Sequence, residues 1–186
     1  EPVCVSVTVS AQEFRSDDIV AKVRAALASS GLAPERLEIE VTETALLDDR
    51  AQTRRYIEQL KALGVRIALD DFGTGYSSLS YLHTLPLDKV KIDRSFIVDL
   101  TRSQRSLALL KGVVDLSRSL GLAVTIEGVE TFDQLKTLAS ALGESPDTVE
   151  HSLEPFLVSK GIVDRTHRGR VLTSSRTAAS QGAFNF

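Results

Sequence analysis

The chain lacks the features that mark several large protein classes. Cys4 is its one cysteine among 186 residues, which excludes an internal disulfide and a site built from several thiolates. No apolar run approaches the roughly 18 to 20 residues that a membrane-spanning helix needs. The sequence also does not start with a basic region followed by an apolar block. These absences predict a cytoplasmic protein with no membrane partner.

An excess of positive charge is absent too. The formal net charge is -3, which argues against the broad basic surface of a nucleic-acid-binding protein. The charge is unevenly distributed, because residues 1–150 carry 17 Lys and Arg against 23 Asp and Glu, whereas residues 151–186 carry 5 against 2. The C-terminal segment is therefore expected to be a separate unit.

The sequence does contain an alternation of strand and helix patterns. Five short segments have apolar residues at every second position or in short apolar runs, and amphipathic helical patterns separate them. This order predicts an α/β fold with a parallel sheet, either an open doubly wound sheet or part of an eight-stranded barrel. The predicted strands cover residues 3–9, 37–42, 65–69, 90–93 and 122–126.

The positions of the polar residues favour the barrel. Near the C-terminal end of each predicted strand, a charged or hydroxyl side chain alternates with the aliphatic ones and so points to the opposite face. In a barrel, the aliphatic set packs on the helices, and the polar set converges on the top face, where such barrels keep their active sites. The residues with this phase are Thr8, Glu40, Asp70, Lys91 and Glu127.

Carboxylates gathered at the mouth of a parallel sheet suit a phosphodiester hydrolase that uses two divalent cations. Oxygen ligands select Mg²⁺ or Mn²⁺, and two such ions can activate a water molecule and clamp the scissile phosphate. Asp70 and Asp71 are adjacent, so both can be ligands only if the chain bends there. The glycines within residues 72–75 would permit that bend and form a flap over a substrate.

A structural interpretation of the same residues stays open at this point. Taken singly, an Asp-Asp-x-Gly turn or a glutamate that ends a strand is more often structural than catalytic. Lys91 could likewise merely neutralise Asp93 or Glu127. The joint pattern favours a polar site, because an unpaired charge in a barrel lumen costs on the order of several kcal/mol.

Four longer motifs contain these residues, and their order and spacing resemble those of the EAL domain family, the bacterial cyclic di-GMP phosphodiesterases. Four consecutive motifs are far more specific than a lone glycine pattern, and the resemblance covers roughly residues 1–140. The motifs are Glu40-Val41-Thr42-Glu43, Asp70-Asp71-Phe72-Gly73-Thr74-Gly75-Tyr76-Ser77-Ser78-Leu79, Lys91-Ile92-Asp93 and Glu127-Gly128-Val129-Glu130-Thr131.

The resemblance implies a modified triosephosphate-isomerase-type barrel that hydrolyses cyclic di-GMP to linear pGpG with Mg²⁺ or Mn²⁺. By position, Lys91 matches the lysine that orients the nucleophilic water, and Glu43 matches the glutamate that anchors the loop 71–79. Asp93 and Glu130 match further site positions. The residues that match metal ligands are Glu40, Asp70, Asp71 and Glu127, of which Asp70 matches the bridging ligand and Glu127 also counts as catalytic.

The chain departs from the family pattern in three places. The Glu-Ala-Leu triplet that names the family is not found, the family's final strands with their glutamine-glycine motif are expected to be missing, and Thr8 stands where the family has a metal-binding asparagine. The expectation is an incomplete barrel with two open edges and impaired hydrolysis. An inactive module that binds cyclic di-GMP or a protein is the alternative. A homodimer in which a second copy completes the sheet is a further hypothesis.

The C-terminal part resembles a second family. Residues from about 138 to 173 are similar to the C-terminal winged helix of the RuvB Holliday-junction motor, with a helix over 147–160 and a hairpin through 162–165 and 170–173. No GxxxxGK[ST] loop for ATP occurs in the chain, which excludes motor activity.

This second resemblance implies an alternative function and a division of the chain. Arg165, Arg168 and Arg170 would lie along the wing and could contact DNA, although a solvated basic hairpin is the simpler interpretation. The expected units are a partial EAL domain at 1–142, a winged-helix-like segment at 143–173 and a disordered tail at 174–186.

Overall fold

A computed structural model shows an α/β fold built on one parallel sheet. It describes residues 4–14, 18–46, 50–74, 79–100 and 103–143, together with the short segments 163–166, 169–172 and 184–185. Five strands form the parallel sheet, as the alternating pattern predicted. They are β1 (Val5–Val9), β2 (Leu37–Thr42), β3 (Arg66–Phe72), β4 (Lys89–Ile92) and β5 (Ala123–Ile126).

The strands lie side by side in the order in which they occur along the chain. Each of β1 to β4 pairs in parallel with the strand that follows it. A doubly wound sheet reverses its strand order at a switch point, and no reversal occurs among these five strands. The sequential order is that of an arc of a β/α barrel, which confirms the barrel interpretation. The arc is not closed among the described residues.

Helices connect the strands and cover one face of the sheet. Helix α5 (Gln104–Ser119) begins after Ser103, whose hydroxyl accepts a hydrogen bond from the Ser106 N–H at 3.1 Å. Helix α6 (Phe132–Leu142) begins with a capping box between Thr131 and Gln134. No helix in the described part of the chain is long and apolar enough to cross a membrane. The helices are α1 (Ala11–Phe14), α2 (Ile19–Ser30), α3 (Arg50–Ala62), α4 (Leu79–Thr84), α5 (Gln104–Ser119) and α6 (Phe132–Leu142).

The hydrophobic core lies between the sheet and these helices. The aliphatic residues of β2 to β5, such as Ile67 and Ile126, are fully buried there with Ile57 and Leu60 of α3. Burying one such side chain contributes roughly 1.5–3 kcal/mol. Because successive side chains on a strand alternate between its faces, this aliphatic face leaves the polar residues on the other face. The core therefore fixes which side chains point into the arc.

One edge of the sheet is exposed. Val5 and Val7 of β1 are 43% and 44% exposed although they lie on the aliphatic face. The other edge differs from the expectation of two open edges, because β8 (Phe184–Asn185) pairs antiparallel with Thr125 and Ile126 of β5. These two residues lie in the segment 174–186, for which a disordered tail stays a prediction. Strand β5 otherwise leaves N–H and C=O groups at an edge, and this pairing satisfies some of them.

The C-terminal hairpin of the second resemblance is present. Strands β6 (Val163–Thr166) and β7 (Gly169–Leu172) pair antiparallel, with Arg165 opposite Arg170. Arg168 and the predicted helix over 147–160 lie outside the described residues. DNA contact by the three arginines, and the division of the chain into three units, stay predictions.

Candidate active site

Four charged side chains meet at the carboxyl ends of the strands. The ammonium group of Lys91 lies at the centre of three carboxylates and forms an ion pair with each of them. All three carboxylates are among the residues that the alternation of polar and aliphatic side chains had predicted to converge at this end of the sheet. The partner oxygens are Glu40 Oε1 at 3.1 Å, Asp70 Oδ1 at 2.8 Å and Glu127 Oε1 at 2.9 Å.

Strand register brings these residues together. Thr8 pairs with Glu40 across β1 and β2, and Thr42 pairs with Asp70 across β2 and β3. Glu127 follows β5 directly, and its N–H donates a hydrogen bond to the Ile92 carbonyl at 3.0 Å, which extends the β4–β5 pairing by one residue. The parallel ladder staggers the participating backbones, since Glu40 pairs with Ala68 and Lys91 with Thr125, and the side chains converge across this stagger. We call the set Thr8, Glu40, Asp70, Lys91 and Glu127 the upper layer.

The upper layer carries excess negative charge. Three carboxylates surround one lysine, and Glu40 and Asp70 are both buried. Burial alone would lower the pKa of Lys91, but its hydrogen bonds with Asp70, Glu127 and Glu40 outweigh burial and hold that pKa well above its ordinary value. Lys91 is therefore charged at neutral pH. One positive charge cannot balance three carboxylates of which two are buried, so the site favours further cations.

Asp71 adds a further carboxylate beside this layer. Burial and the charges of Asp70, Asp93 and Glu127 raise its pKa above the ordinary value. Its backbone is left-handed, with φ of 54°, a conformation that aspartate tolerates better than most residues do. The β3–β4 register shifts between Leu69 and Phe72 at this point. The bend that two adjacent ligands need is thus located at Asp71 itself, rather than in the glycine loop that follows.

The loop after Asp71 is fixed by Glu43 and Phe96. The Gly73 N–H donates a hydrogen bond to Glu43 Oε2 at 3.3 Å, and Glu43 is buried. Gly73 has φ of 101°, and a Cβ there would lie 1.9 Å from the Phe96 ring, so this position requires glycine. These contacts support the anchoring role of Glu43, which stays a prediction. Residues 75–78 of the motif lie outside the described residues.

Asp93 and Glu130 have local structural contacts. The Asp93 carboxylate accepts a hydrogen bond from the Ser95 N–H at 2.8 Å and caps the 3-10 turn Arg94–Phe96. Burial opposes this effect, but the hydrogen bonds from Ser95 and Arg94 lower the pKa of Asp93. Glu130 is exposed just before α6, and its N–H donates to Gln134. The ion pairs of Lys91 are with the upper layer, including Glu127, and not with Asp93 as the structural interpretation allowed.

Thr8 contacts a neighbouring carboxylate. Its hydroxyl donates a hydrogen bond to Glu40 Oε2 at 2.9 Å. The resemblance implied that Thr8 is a weak replacement for a metal-binding asparagine. In the structure its hydroxyl is directed to Glu40, which lies directly opposite Thr8 in the β1–β2 pairing. That contact between two side chains is not evident from the sequence motif.

A second polar triplet lies two residues earlier on the same strands. Ser6 donates to Glu38 Oε1 at 3.2 Å, and Lys89 forms an ion pair with Glu38 at 2.7 Å. We call Ser6, Glu38 and Lys89 the lower layer. These three residues were not predicted as site residues, although their spacing of two residues from Thr8, Glu40 and Lys91 is the signal that could have identified them.

The residues of the upper layer fit divalent cations by their chemistry. Glu40, Asp70 and Glu127 offer carboxylate oxygens, which Mg²⁺ and Mn²⁺ prefer, and their charge is in excess. No group of three or more His, Cys, Asp or Glu side chains within the described ranges is arranged to hold a metal ion. The Lys91 ammonium lies between three of the carboxylates. The metal-ligand roles of Glu40, Asp70, Asp71 and Glu127 therefore stay predictions.

Known proteins with the same motifs are similar to this chain. The model of the EAL domain matches residues 1–142, and that of the RuvB C-terminal winged helix domain matches residues 127–179. A curated relative is the cyclic di-GMP phosphodiesterase NbdA of Pseudomonas aeruginosa, which is 47% identical over 134 residues. That match covers 72% of this chain and 17% of NbdA. The chain spans a similarly small share of the other first curated relatives, 16% and 17%.

Solved structures agree with the arc of the barrel. The c-di-GMP complex of PaMucR phosphodiesterase, whose name matches MucR of Pseudomonas aeruginosa, has a TM-score of 0.70 and 42% identity, over 76% of this chain and 57% of that one. The manganese and cyclic di-GMP complex of BlrP1 from Klebsiella pneumoniae has a TM-score of 0.69 and 32% identity, over 76% and 36%. With its four motifs in place and residues 1–142 matched, the chain belongs to the EAL domain family.

Proposed function

We propose that this chain acts on cyclic di-GMP as a phosphodiesterase, which hydrolyses one phosphodiester bond to give the linear dinucleotide. The observation that carries the proposal is the convergence of Glu40, Asp70 and Glu127 on Lys91 at the carboxyl ends of the strands. The names of relatives support the substrate, since NbdA is a cyclic di-GMP phosphodiesterase and PaMucR was solved with c-di-GMP.

The carboxylates would hold two divalent cations, Mg²⁺ or Mn²⁺. Glu40, Asp70 and Glu127 already point to one centre, and Asp71 adds a fourth carboxylate through its left-handed backbone. When bound, such ions supply charge stabilisation at the phosphate and lower the pKa of water. BlrP1 was solved with manganese and with calcium, which supports a divalent cation in the family.

Lys91 has the geometry of a group that positions and neutralises. Its ammonium is charged at neutral pH, because the hydrogen bonds with three carboxylates outweigh burial and raise its pKa. Its three N–H donors are taken by the three carboxylates, so it can donate to a water molecule or a phosphate oxygen when one of these carboxylates releases it. We assign it the orientation of the nucleophilic water. Glu127 is the most exposed of its three partners, so it faces the solvent from which a substrate enters.

The loop after β3 forms the wall beside this centre. Glu43 holds it through Gly73, and Phe96 packs against the same glycine. Asp93 fixes the turn that carries Phe96. We assign these residues to keeping Asp71 beside the upper layer, and Glu130 to the rim of the site before α6. Hydrolysis is expected to be slower than the family pattern implies, because Thr8 stands where that pattern has a metal-binding asparagine.

The test is incubation of the chain with cyclic di-GMP and Mn²⁺, followed by chromatography for the linear dinucleotide. Glu127→Gln should lower the rate at least about 100-fold, since it removes a charged group from the reacting centre. Asp115→Asn makes a similar carboxylate-to-amide change on the exposed face of α5, and it should leave the rate unchanged. No product at high protein and Mn²⁺ concentrations, or equal rates for the two variants, would contradict the proposal.

A further inference from the structure

The two oxygens of Glu40 have different partners. Oε1 forms the ion pair with Lys91 at 3.1 Å, whereas Oε2 accepts the hydrogen bond from the Thr8 hydroxyl at 2.9 Å. Glu40 is 8% exposed, so its side chain has little freedom to satisfy Oε2 with solvent. One oxygen is thus held by a neutral donor and the other faces the shared centre of the upper layer.

The backbone makes this contact reproducible. Thr8 and Glu40 are directly paired in the parallel ladder of β1 and β2. A β-branched side chain has few allowed χ1 rotamers, so the threonine hydroxyl has a well-defined direction. A hydrogen bond to a carboxylate is stronger than one between neutral groups. The hydrogen bond from Thr8 therefore holds the Glu40 carboxylate in one orientation, which this flexible side chain would not keep by itself.

We infer that Thr8 is a positioning residue for the cation site, which acts by orienting Glu40 rather than by binding a cation itself. The inference rests on the proposed function, because the site it serves is the proposed one. It replaces the expectation of a weak ligand at this position with an indirect role. Partners that orient a ligand from outside the coordination shell typically change metal affinity by about 10- to 100-fold.

The lower layer supplies a matched control. Ser6 donates to Glu38 Oε1 at 3.2 Å, and Ser6 and Glu38 are also directly paired across β1 and β2. The chemistry of the contact is the same, but Glu38 pairs one-to-one with Lys89. Removing the Ser6 hydroxyl tests the loss of a hydroxyl-to-glutamate bond on β1 without touching the upper layer.

The first experiment is calorimetric titration of the full chain with Mn²⁺. Thr8→Val keeps the shape of the side chain and removes the hydroxyl, and it should weaken Mn²⁺ binding about 10-fold. Thr8→Ser keeps the hydroxyl and should stay within about 2-fold of the unsubstituted chain, as should Ser6→Ala. Equal weakening by Thr8→Val and Ser6→Ala would overturn the inference, because the effect would then be a general one of β1.

A double-mutant cycle separates an indirect role from direct ligation. In a Glu40→Ala chain the acceptor is gone, so the addition of Thr8→Val should change Mn²⁺ affinity by less than about 2-fold. A further loss of about 10-fold would show that Thr8 binds the cation itself and would overturn the inference. The absence of Mn²⁺ binding by the unsubstituted chain would overturn it as well. Normal Mn²⁺ binding without hydrolysis would contradict only the proposed function.

Discussion

The upper and lower layers of the sheet are built from the same parts, yet they have different properties. Each has a hydroxyl on β1, a glutamate on β2 and a lysine on β4, with the two sets two residues apart. In the lower layer Glu38 and Lys89 balance each other. In the upper layer β3 and the end of β5 add Asp70 and Glu127.

The difference shows how a structural ion pair becomes a candidate site. In a one-to-one ion pair each charge neutralises the other. Removal of either partner from a buried pair destabilises the fold, because it leaves an uncompensated charge. Three carboxylates around Lys91 leave negative charge that Lys91 does not neutralise. Binding of a cation at this site should therefore stabilise the folded chain. The same strands therefore provide a neutralised ion pair in the lower layer and a site with excess negative charge in the upper layer.

The largest effect is expected when the two lysines are exchanged for a neutral residue of similar length. Lys91→Met leaves three carboxylates facing one another, and Lys89→Met leaves Glu38 buried without its cation. Each should destabilise the cation-free chain by about 3–5 kcal/mol. Lys91→Met should also lower hydrolysis by about 100- to 1000-fold. Unfolding in urea with and without Mn²⁺, together with the rate of hydrolysis, measures both effects.

Only one of these losses should be reversed by a divalent cation. Mn²⁺ can replace the Lys91 ammonium among the carboxylates and should restore most of the stability of Lys91→Met, whereas it has no such site beside Glu38. Lys111→Met is a control, since Lys111 pairs with Asp115 on the exposed face of α5, and it should change stability by less than about 1 kcal/mol. Recovery of Lys89→Met by Mn²⁺ would remove the distinction between the layers.

A smaller effect is expected when one carboxylate of each layer becomes an amide. Glu38→Gln leaves Lys89 without its charged partner and should destabilise the chain by about 1–3 kcal/mol. Asp70→Asn lowers the excess negative charge and should be neutral or stabilising in the absence of divalent cations. Urea unfolding in a chelating buffer gives the two values. Equal destabilisation by both variants would mean that the upper layer is balanced by charges other than Lys91.

The smallest effect concerns pH. The raised pKa of Asp71 means that its ionised form is disfavoured in the folded chain, so it costs stability as the pH rises above the ordinary carboxyl value of about 4. Asp71→Asn should stabilise the cation-free chain at neutral pH, because asparagine tolerates the same left-handed backbone.

The gain from Asp71→Asn should disappear below about pH 4, where Asp71 is protonated in both the folded and the unfolded chain. Urea unfolding of both proteins across this range measures the difference. A gain that does not depend on pH would show that the charge of Asp71 is not its cause.

The sequence predicted the strands and their order well because alternation reports directly on burial. The convergence of Glu40, Asp70 and Glu127 followed from that alternation together with the rule that parallel strands end at one edge. The lysine at their centre was predicted as a member of the site, but its three simultaneous ion pairs depend on side-chain rotamers. Such contacts are set across strands far apart in the chain.

Features that depend on distant partners were missed for the same reason. The bend at Asp71 arises where the β3–β4 register shifts, and no local motif marks a register shift. The pairing of Phe184 and Asn185 with β5 joins segments about 60 residues apart, and no periodic pattern in residues 174–186 predicts a strand there. The hydrogen bond from Thr8 to Glu40 likewise needs the β1–β2 register, which alternation alone leaves open.

The most direct test of the account is calorimetric titration of Mn²⁺ into three proteins: the unsubstituted chain, Asp70→Asn and Glu38→Gln. The unsubstituted chain and Glu38→Gln should bind Mn²⁺ with similar affinity, and Asp70→Asn should lose at least about 10-fold in affinity. Equal losses in both variants, or no binding by the unsubstituted chain, would contradict the claim that uncompensated charge makes the upper layer a cation site.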